Sequence, residues 1–294
     1  MSDKESPKKD PKQDAASVVN LHENKDEHKE DLMEEQNPDE LGVTFEVVEG
    51  EMEGGKKVRR KGIYLLPNLF TTGALFSGFY AIVAAMNGVF DHAAVAIFVS
   101  MILDGLDGRV ARLTNTQSEF GAQYDSLSDC ISFGIAPALV AYAWTLSHLG
   151  KVGWMVSFVY AACAALRLAR FNVQIETADK RYFTGLPSPS AAALVAGMVW
   201  LGAQLNIDRS MVMVTLGAAV VTAFAAIMMV SNVRYNSFKE LDVKGRVPFF
   251  VILVVVLAIA VIFSYPAGVL WGIFLIYSLS GPLMAFRRMR PGHS

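Results

Sequence analysis

The chain has 294 residues, 53% of them hydrophobic, and a mean hydropathy of +0.35, too apolar for an ordinary soluble domain. Its net charge of −2 hides a split: residues 1–62 hold 17 Asp/Glu against 11 Lys/Arg, about −6, which leaves about +4 on the remainder. Only Cys130 and Cys163 are present, neither in a CxxC pair, and His22, His28, His92, His148 and His293 show no ligand spacing, so neither a disulfide framework nor a zinc site is supported. No nucleic-acid partner is expected.

In chain order, residues 1–56 form an acidic, low-hydrophobicity tail with Pro and Gln, expected to be disordered. It contains no apolar core of a signal peptide. Lys56, Lys57, Arg59, Arg60 and Lys61 then form a basic stretch suited to an anionic membrane surface. From Tyr64 onward, apolar runs alternate with short polar breaks. The expected spans are 66–87, 93–112, 121–147, 153–171, 190–204, 211–231, 249–263 and 267–286. Most approach the roughly 20 residues that cross the hydrocarbon core, where an open chain must be helical. The fifth and seventh are shortest.

Basic residues set the expected orientation. With the amino terminus in the cytoplasm, that side collects the 56–61 stretch, Arg109, Arg112, Arg167, Arg170, Lys180, Arg181, Arg234, Lys239, Lys244, Arg246, Arg287, Arg288 and Arg290. The opposite side keeps Lys151 and Arg209. Eight spans put both termini in the cytoplasm.

Within these apolar runs lie Asp104, Asp107, Asp125 and Asp129, in the pattern D-x2-D-G-x2-A-R-x8-G-x3-D-x3-D. Its eight fixed positions arise by chance in such a chain with a probability on the order of one in ten million. Four uncompensated aspartates near a bilayer centre would cost about 10 kcal/mol, comparable to the whole stability of a domain. Something cationic must neutralise them. Asp104 and Asp107 are three apart and Asp125 and Asp129 four apart, so each pair shares a helical face. The short link between the second and third spans makes them antiparallel neighbours, and the pairs converge. Gly108 and Gly121 leave room for a close approach, and Arg112 offers a fork for phosphate oxygens. An all-carboxylate site suits Mg2+ or Mn2+, and two such ions support in-line displacement at phosphorus on an amphiphilic substrate. The competing readings are a structural network of these acids with Arg109 and Arg112, and an ion relay in a transporter.

This pattern resembles the signature of the CDP-alcohol phosphotransferase family at every fixed position, over about residues 66–239. Within the family the chain is most similar to the integral-membrane phosphatidylserine synthases, through Leu166-Arg167-Leu168-Ala169-Arg170-Phe171-Asn172, Phe183-Thr184-Gly185-Leu186-Pro187-Ser188-Pro189 and the segment Ser231 to Lys239. The resemblance implies an all-α polytopic membrane bundle. A six-helix catalytic core would occupy 57–240, with two additional helices in 241–294, and the enzyme would be a homodimer.

It further implies transfer of a phosphatidyl group from CDP-diacylglycerol to L-serine. Asp104, Asp107, Asp125 and Asp129 would be metal ligands, with Asp129 also the catalytic base, and CMP would leave. Gly108, Arg112 and Gly121 would hold the nucleotide and diphosphate. Asn68 and Thr71 join this group by resemblance, although helix capping explains them equally well. Arg167, Arg170, Asn172 and Ser188 would contact serine, with positive-side anchoring the rival role for the arginines. The segment from Gly185 to Pro189 reads as a rigid loop or as a helix entry. A sibling using glycerol 3-phosphate or an inositol phosphate as acceptor is the nearest alternative.

Overall fold

The computed structural model describes residues 50–53, 56–59, 65–114, 118–174, 182–236 and 249–289. All belong to the second of two units, Glu49–Ser294. The expected disorder of the tail therefore falls outside the described residues up to position 49, as do the bases Arg60, Lys61, Lys180, Arg181, Lys239, Lys244, Arg246 and Arg290. Where the tail was expected to end, β1 (Gly50–Glu53) pairs antiparallel with β2 (Lys56–Arg59), setting Glu51 opposite Val58 and Glu53 opposite Lys56.

Apart from a second two-stranded ribbon, the remaining elements among the described residues are helical, and each expected span has its helix. The first two are α1 (Leu65–Met86) and α2 (Phe90–Thr114). The third is divided into α3 (Glu119–Asp129), a π-helical turn (Cys130–Ile135) and α4 (Ala136–Trp144). A 3-10 turn at Leu146–Leu149 leads into α5 (Lys151–Gln174). Then follow α6 (Ser188–Gln204), α7 (Val212–Val230), α8 (Phe249–Ser264) and α9 (Pro266–Met289). Five of these spans are long and apolar enough to cross a membrane, beginning at Pro67, Glu119, Lys151, Val212 and Pro266. The others miss that standard for visible reasons: α2 carries Asp91, Asp104, Asp107 and Arg109, while α6 and α8 have only 17 and 16 residues.

Small residues and hydroxyls close the helix contacts, as expected where lipid removes the hydrophobic drive between helices. Ser77 donates to the Ala96 carbonyl and Ser100 to that of Ala74, both at 2.8 Å, locking α1 to α2. At Gly78, an added Cβ would come within 2.8 Å of the Ser132 Cα, so the missing side chain lets the π turn lie against α1. The turn has a local cause. Pro137 has no N–H for the helical ladder, which frees a carbonyl one turn back. Tyr160, fully buried on α5, donates its hydroxyl to the Phe133 carbonyl at 3.2 Å. The central helix is α6, where Ala191, Ala192, Ala193, Leu194, Val195, Ala196 and Val199 are all buried. Outward faces carry Phe76, Phe79, Trp154, Phe158, Met213 and Ile276, the exposed apolar girdle of an integral membrane protein.

A two-stranded ribbon caps the end of the bundle that holds the acids. In it β3 (Tyr182–Thr184) pairs antiparallel with β4 (Arg234–Asn236), Phe183 opposite Tyr235. The residues after β3 enter α6: Pro187 is its N-cap, with Pro189 in the first turn. Gly185 has a φ of +80° and donates its N–H to the Val233 carbonyl at 2.8 Å, and a side chain there would collide with the Met229 carbonyl. Of the two readings of this segment, the helix entry is the one formed.

Candidate active site

Two antiparallel helices carry the acids toward one another. On α2, Arg112, Gly108, Asp107 and Asp104 run inward from the mouth, over about 12 Å at 1.5 Å per residue. On α3, Ser118, Gly121, Asp125 and Asp129 descend about 16 Å alongside it. Ser118 is the N-cap of α3, its hydroxyl accepting from the Gly121 N–H at 2.9 Å. Carboxylate oxygens of Asp104, Asp107 and Asp125 all lie within 4.8 Å of one another. Asp129, deeper on α3, is within hydrogen-bond reach of the Asp104 carboxyl. The spacing inferred from sequence thus brings all four together, with Asp129 beside Asp104.

Among the described residues, no lysine or arginine is ion-paired to these acids; the ion pair present is His92 with Asp91, at the far end of α2. The structural network with Arg109 and Arg112 is therefore not formed. Asp125 leaves Oδ1 buried without a hydrogen-bond partner. Three convergent carboxylates, a fourth beside them, and an orphaned buried oxygen form a donor set that fits a hard divalent cation, which takes oxygen ligands at about 2.0–2.6 Å.

Beside the acids opens a cleft of about 260 Å³, lined by Pro67, Asn68, Thr71, Asp107, Gly108, Ala111, Arg112, Ser118, Gly121, Ala122 and Asp125. Every residue expected to hold the nucleotide and diphosphate lines it. A Cβ at Gly108 would meet nothing within 4 Å, so that glycine leaves cleft volume open. At Gly121 a Cβ would approach Ser118 Oγ to 3.0 Å and Asn68 Oδ1 to 3.5 Å. Ser118, Gly121 and Ala122 bring the amino-terminal end of α3 to this space, and the positive end of a helix is a favourable place for a phosphate. A second cleft, about 650 Å³ between Phe90, Asp91, Trp144 and Arg209, lies at the opposite end of α2.

Thr71 does more than line the cleft. Its buried hydroxyl donates to Asp107 Oδ2 at 2.9 Å and also lies 3.2 Å from the Pro67 carbonyl, so it orients the carboxylate. Sequence reasoning offered capping or phosphate contact and missed this bond, because α1 meets α2 only in the tertiary fold. It also missed three hydroxyls that lock α3 and the π turn to α1. Tyr124 Oη bonds Thr72 Oγ1 at 2.9 Å, and Ser128 and Ser132 donate to the Thr71 and Ala74 carbonyls, each at 3.2 Å. Their spacing of four on one face was a readable signal.

The residues expected to meet serine fall into two groups. Arg167 is 9% exposed; its Nη1 donates to the Ser188 hydroxyl at 2.9 Å, and its Nε is buried with no acceptor. Asp129, Tyr160 and Tyr277 are its electrostatic neighbours. Arg170, one turn later, lies 3.0–3.4 Å from the carbonyls of Thr184, Val230 and Ser231 and from Asn232 Oδ1, and so ties the β3–β4 ribbon to α5 and α7. Asn172 pairs with Ser126 of α3 at 3.1 Å.

A polytopic bundle with an aspartate cluster beside a phosphate-sized cleft defines a membrane phosphotransferase class, and a family model described as CDP-alcohol phosphatidyltransferase matches residues 64–227. The chain belongs to that family. It is 39% identical over 219 residues to the CDP-diacylglycerol–serine O-phosphatidyltransferase of Helicobacter pylori strain J99, covering 74% of this chain and 90% of the relative. Proteins of the same name from Mycobacterium tuberculosis strain H37Rv and Saccharomyces cerevisiae are each 40% identical. They cover 52% and 42% of this chain, and 55% and 50% of their own lengths.

Proposed function

We propose that the protein transfers the phosphatidyl group of CDP-diacylglycerol to the hydroxyl of L-serine, yielding phosphatidylserine and CMP. The observation that carries this reading is the composition of the site: a phosphate-sized cleft lined by Asp107 and Asp125, the convergent carboxylate of Asp104, and the buried Arg167 with an Nε that lacks an acceptor. The names of relatives matched over most of their length support the choice of serine.

In this account Arg112, Gly108, Gly121 and the first turn of α3 bind the nucleotide and diphosphate, with Asn68 at the rim. Asp104, Asp107 and Asp125 would hold a divalent cation, Mg2+ or Mn2+, with Asp129 reaching a second; bound there, it would neutralise the diphosphate and the charge developing on the departing CMP. Thr71 fixes the Asp107 carboxylate. Arg167 receives the serine carboxylate on its unsatisfied Nε edge, which directs the serine hydroxyl toward Asp129. Asp129 takes the hydroxyl proton as the serine oxygen bonds to the phosphorus bearing diacylglycerol, and the phosphorus–oxygen bond to CMP breaks. Ser188 orients Arg167, whereas Arg170 and Asn172 act as scaffold.

The same reading places the protein in the inner membrane with the site and both termini facing the cytoplasm. Arg109, Arg112, Arg167 and Arg170 share the acidic end, and Lys151 and Arg209 the other. It includes a homodimer, carried over from the family. The test uses L-serine labelled with 18O at the hydroxyl, with the lipid product weighed by mass spectrometry. Label retained in phosphatidylserine, with unlabelled CMP, is expected. Label absent from the lipid would rule out attack by the serine hydroxyl.

A further inference from the structure

The larger cleft lies at the end of α2 away from the acids, and the proposed reaction makes no use of it. It holds about 650 Å³, within the range of small-ligand sites, and Asp91, Gln204, Asn206 and Arg209 line it on its polar side. It forms where elements end: α1 stops at Met86, α2 starts at Phe90, α4 stops at Trp144 and α6 at Gln204. A Cβ at Gly202 would overlap the Trp144 ring, so that glycine seats the indole directly against α6 beside the cleft.

Arg209 is held in advance at both ends. Its carbonyl accepts from the buried hydroxyls of Thr145 at 2.7 Å and Thr215 at 3.4 Å. Its guanidinium carbon stands 4.8 Å from the centroid of the buried Phe90 ring, a cation–π contact. The loop that carries it is shaped by its own bonds. Asn206, with a φ of +49°, closes α6, and the N–H groups of Asn206 and Ile207 bond the Ala203 and Gly202 carbonyls at 3.1 and 3.0 Å. Asp208 Oδ1 accepts from the N–H and the hydroxyl of Ser210 at 2.9 and 2.7 Å. A side chain placed beforehand loses less entropy on binding a ligand.

Among the described residues, the Arg209 guanidinium has no ion pair and no hydrogen-bond acceptor. Asp91 lines the same cleft, yet its ion-pair partner is His92, at 3.9 Å. A fixed cation and an anion therefore flank one cleft without pairing, the charge pattern complementary to a zwitterion. Arg209 is also one of two Lys or Arg residues expected at this end, where bases are sparse in membrane proteins. The surroundings are apolar: Met86, Val89, Leu205 and Ile207, at the ends of α1 and α6, are exposed. Trp144 and Trp200 line the cleft at the same level, as aromatic residues do near a membrane–water interface.

We propose that this cleft binds an aminophospholipid of the leaflet opposite the active site. Arg209 takes the phosphodiester, Asp91 the headgroup ammonium, and the acyl chains lie against the exposed apolar residues at the ends of α1 and α6. The inference is independent of the metal and of the acceptor.

The test uses the full-length protein purified in detergent, offered defined lipids, with bound lipid counted by native mass spectrometry. Phosphatidylethanolamine should be retained over phosphatidylcholine, whose quaternary ammonium has no N–H for Asp91, and over phosphatidylglycerol, which has no cation. Arg209→Gln should weaken retention of phosphatidylethanolamine at least about tenfold, the loss of one contact to a charged group. Asp91→Asn should erase the preference over phosphatidylglycerol. Both residues lie far from the acids, so CMP release by the variants in detergent should match the wild type. Equal retention of all three lipids by the wild type, which needs no variant, would overturn the proposal. So would undiminished phosphatidylethanolamine binding in Arg209→Gln. Inorganic phosphate or glycerophosphoethanolamine raising the unfolding temperature as much as the lipid does would mark a site for a soluble anion and overturn the lipid assignment.

Discussion

Replacing Thr71 by valine removes a hydroxyl and keeps the side-chain shape, so it isolates one bond. The hydroxyl lies 2.9 Å from Asp107 Oδ2 and is buried, where water cannot substitute for it. A hydrogen bond to a charged group contributes about 1.5–3 kcal/mol, and each 1.4 kcal/mol is about tenfold in an equilibrium constant. Partners that orient metal ligands show the same scale, about 10–100-fold in metal affinity. Thr71→Val should therefore weaken Mn2+ binding by roughly 10–100-fold. Free Mn2+ counted by electron paramagnetic resonance during titration of the detergent-solubilised protein reads this directly. A valine variant with wild-type Mn2+ affinity and wild-type turnover would refute the reasoning, because Asp107 would then need no orienting donor.

Other parts of the site have distinct signatures. Asp129→Asn should abolish CMP release while metal-dependent binding of CDP-diacylglycerol persists; near-normal turnover in a folded variant would remove Asp129 as the base. Gly108→Val, which points into open cleft, should raise the KM for CDP-diacylglycerol at least about tenfold without lowering the unfolding temperature. Gly78→Ala forces a Cβ against the Ser132 backbone, an overpacking cost of about 1–3 kcal/mol. It should lower the thermal midpoint by several degrees and leave both KM values unchanged. Arg170→Ala should impair use of serine and CDP-diacylglycerol together, through the loosened ribbon, in contrast to a selective rise in serine KM for Arg167→Ala.

How far the sequence reached depended on whether a relation was local or tertiary. The eight helical spans were legible because lipid permits little besides helix for runs of that length, and breaks such as Gly150 and Asn206 are strong. The convergence of the aspartates was legible because spacings of three and four fix a helical face, and the short link between α2 and α3 fixes their direction. The π turn was not, since Pro137 alone does not reveal that Tyr160 will satisfy the carbonyl it frees. Arg167 and Arg170 sit three residues apart at the end of one helix and look alike in sequence. Only the position of Ser188 and of the ribbon separates an arginine with an unsatisfied Nε from one bound to backbone carbonyls.

The most direct test of the central claim is CMP release from CDP-diacylglycerol by the purified protein, with and without L-serine, before and after chelation by EDTA and re-addition of Mn2+. The account predicts serine-dependent CMP that disappears on chelation and returns with the metal. CMP formed only with another alcohol, or at an undiminished rate in EDTA, would contradict it.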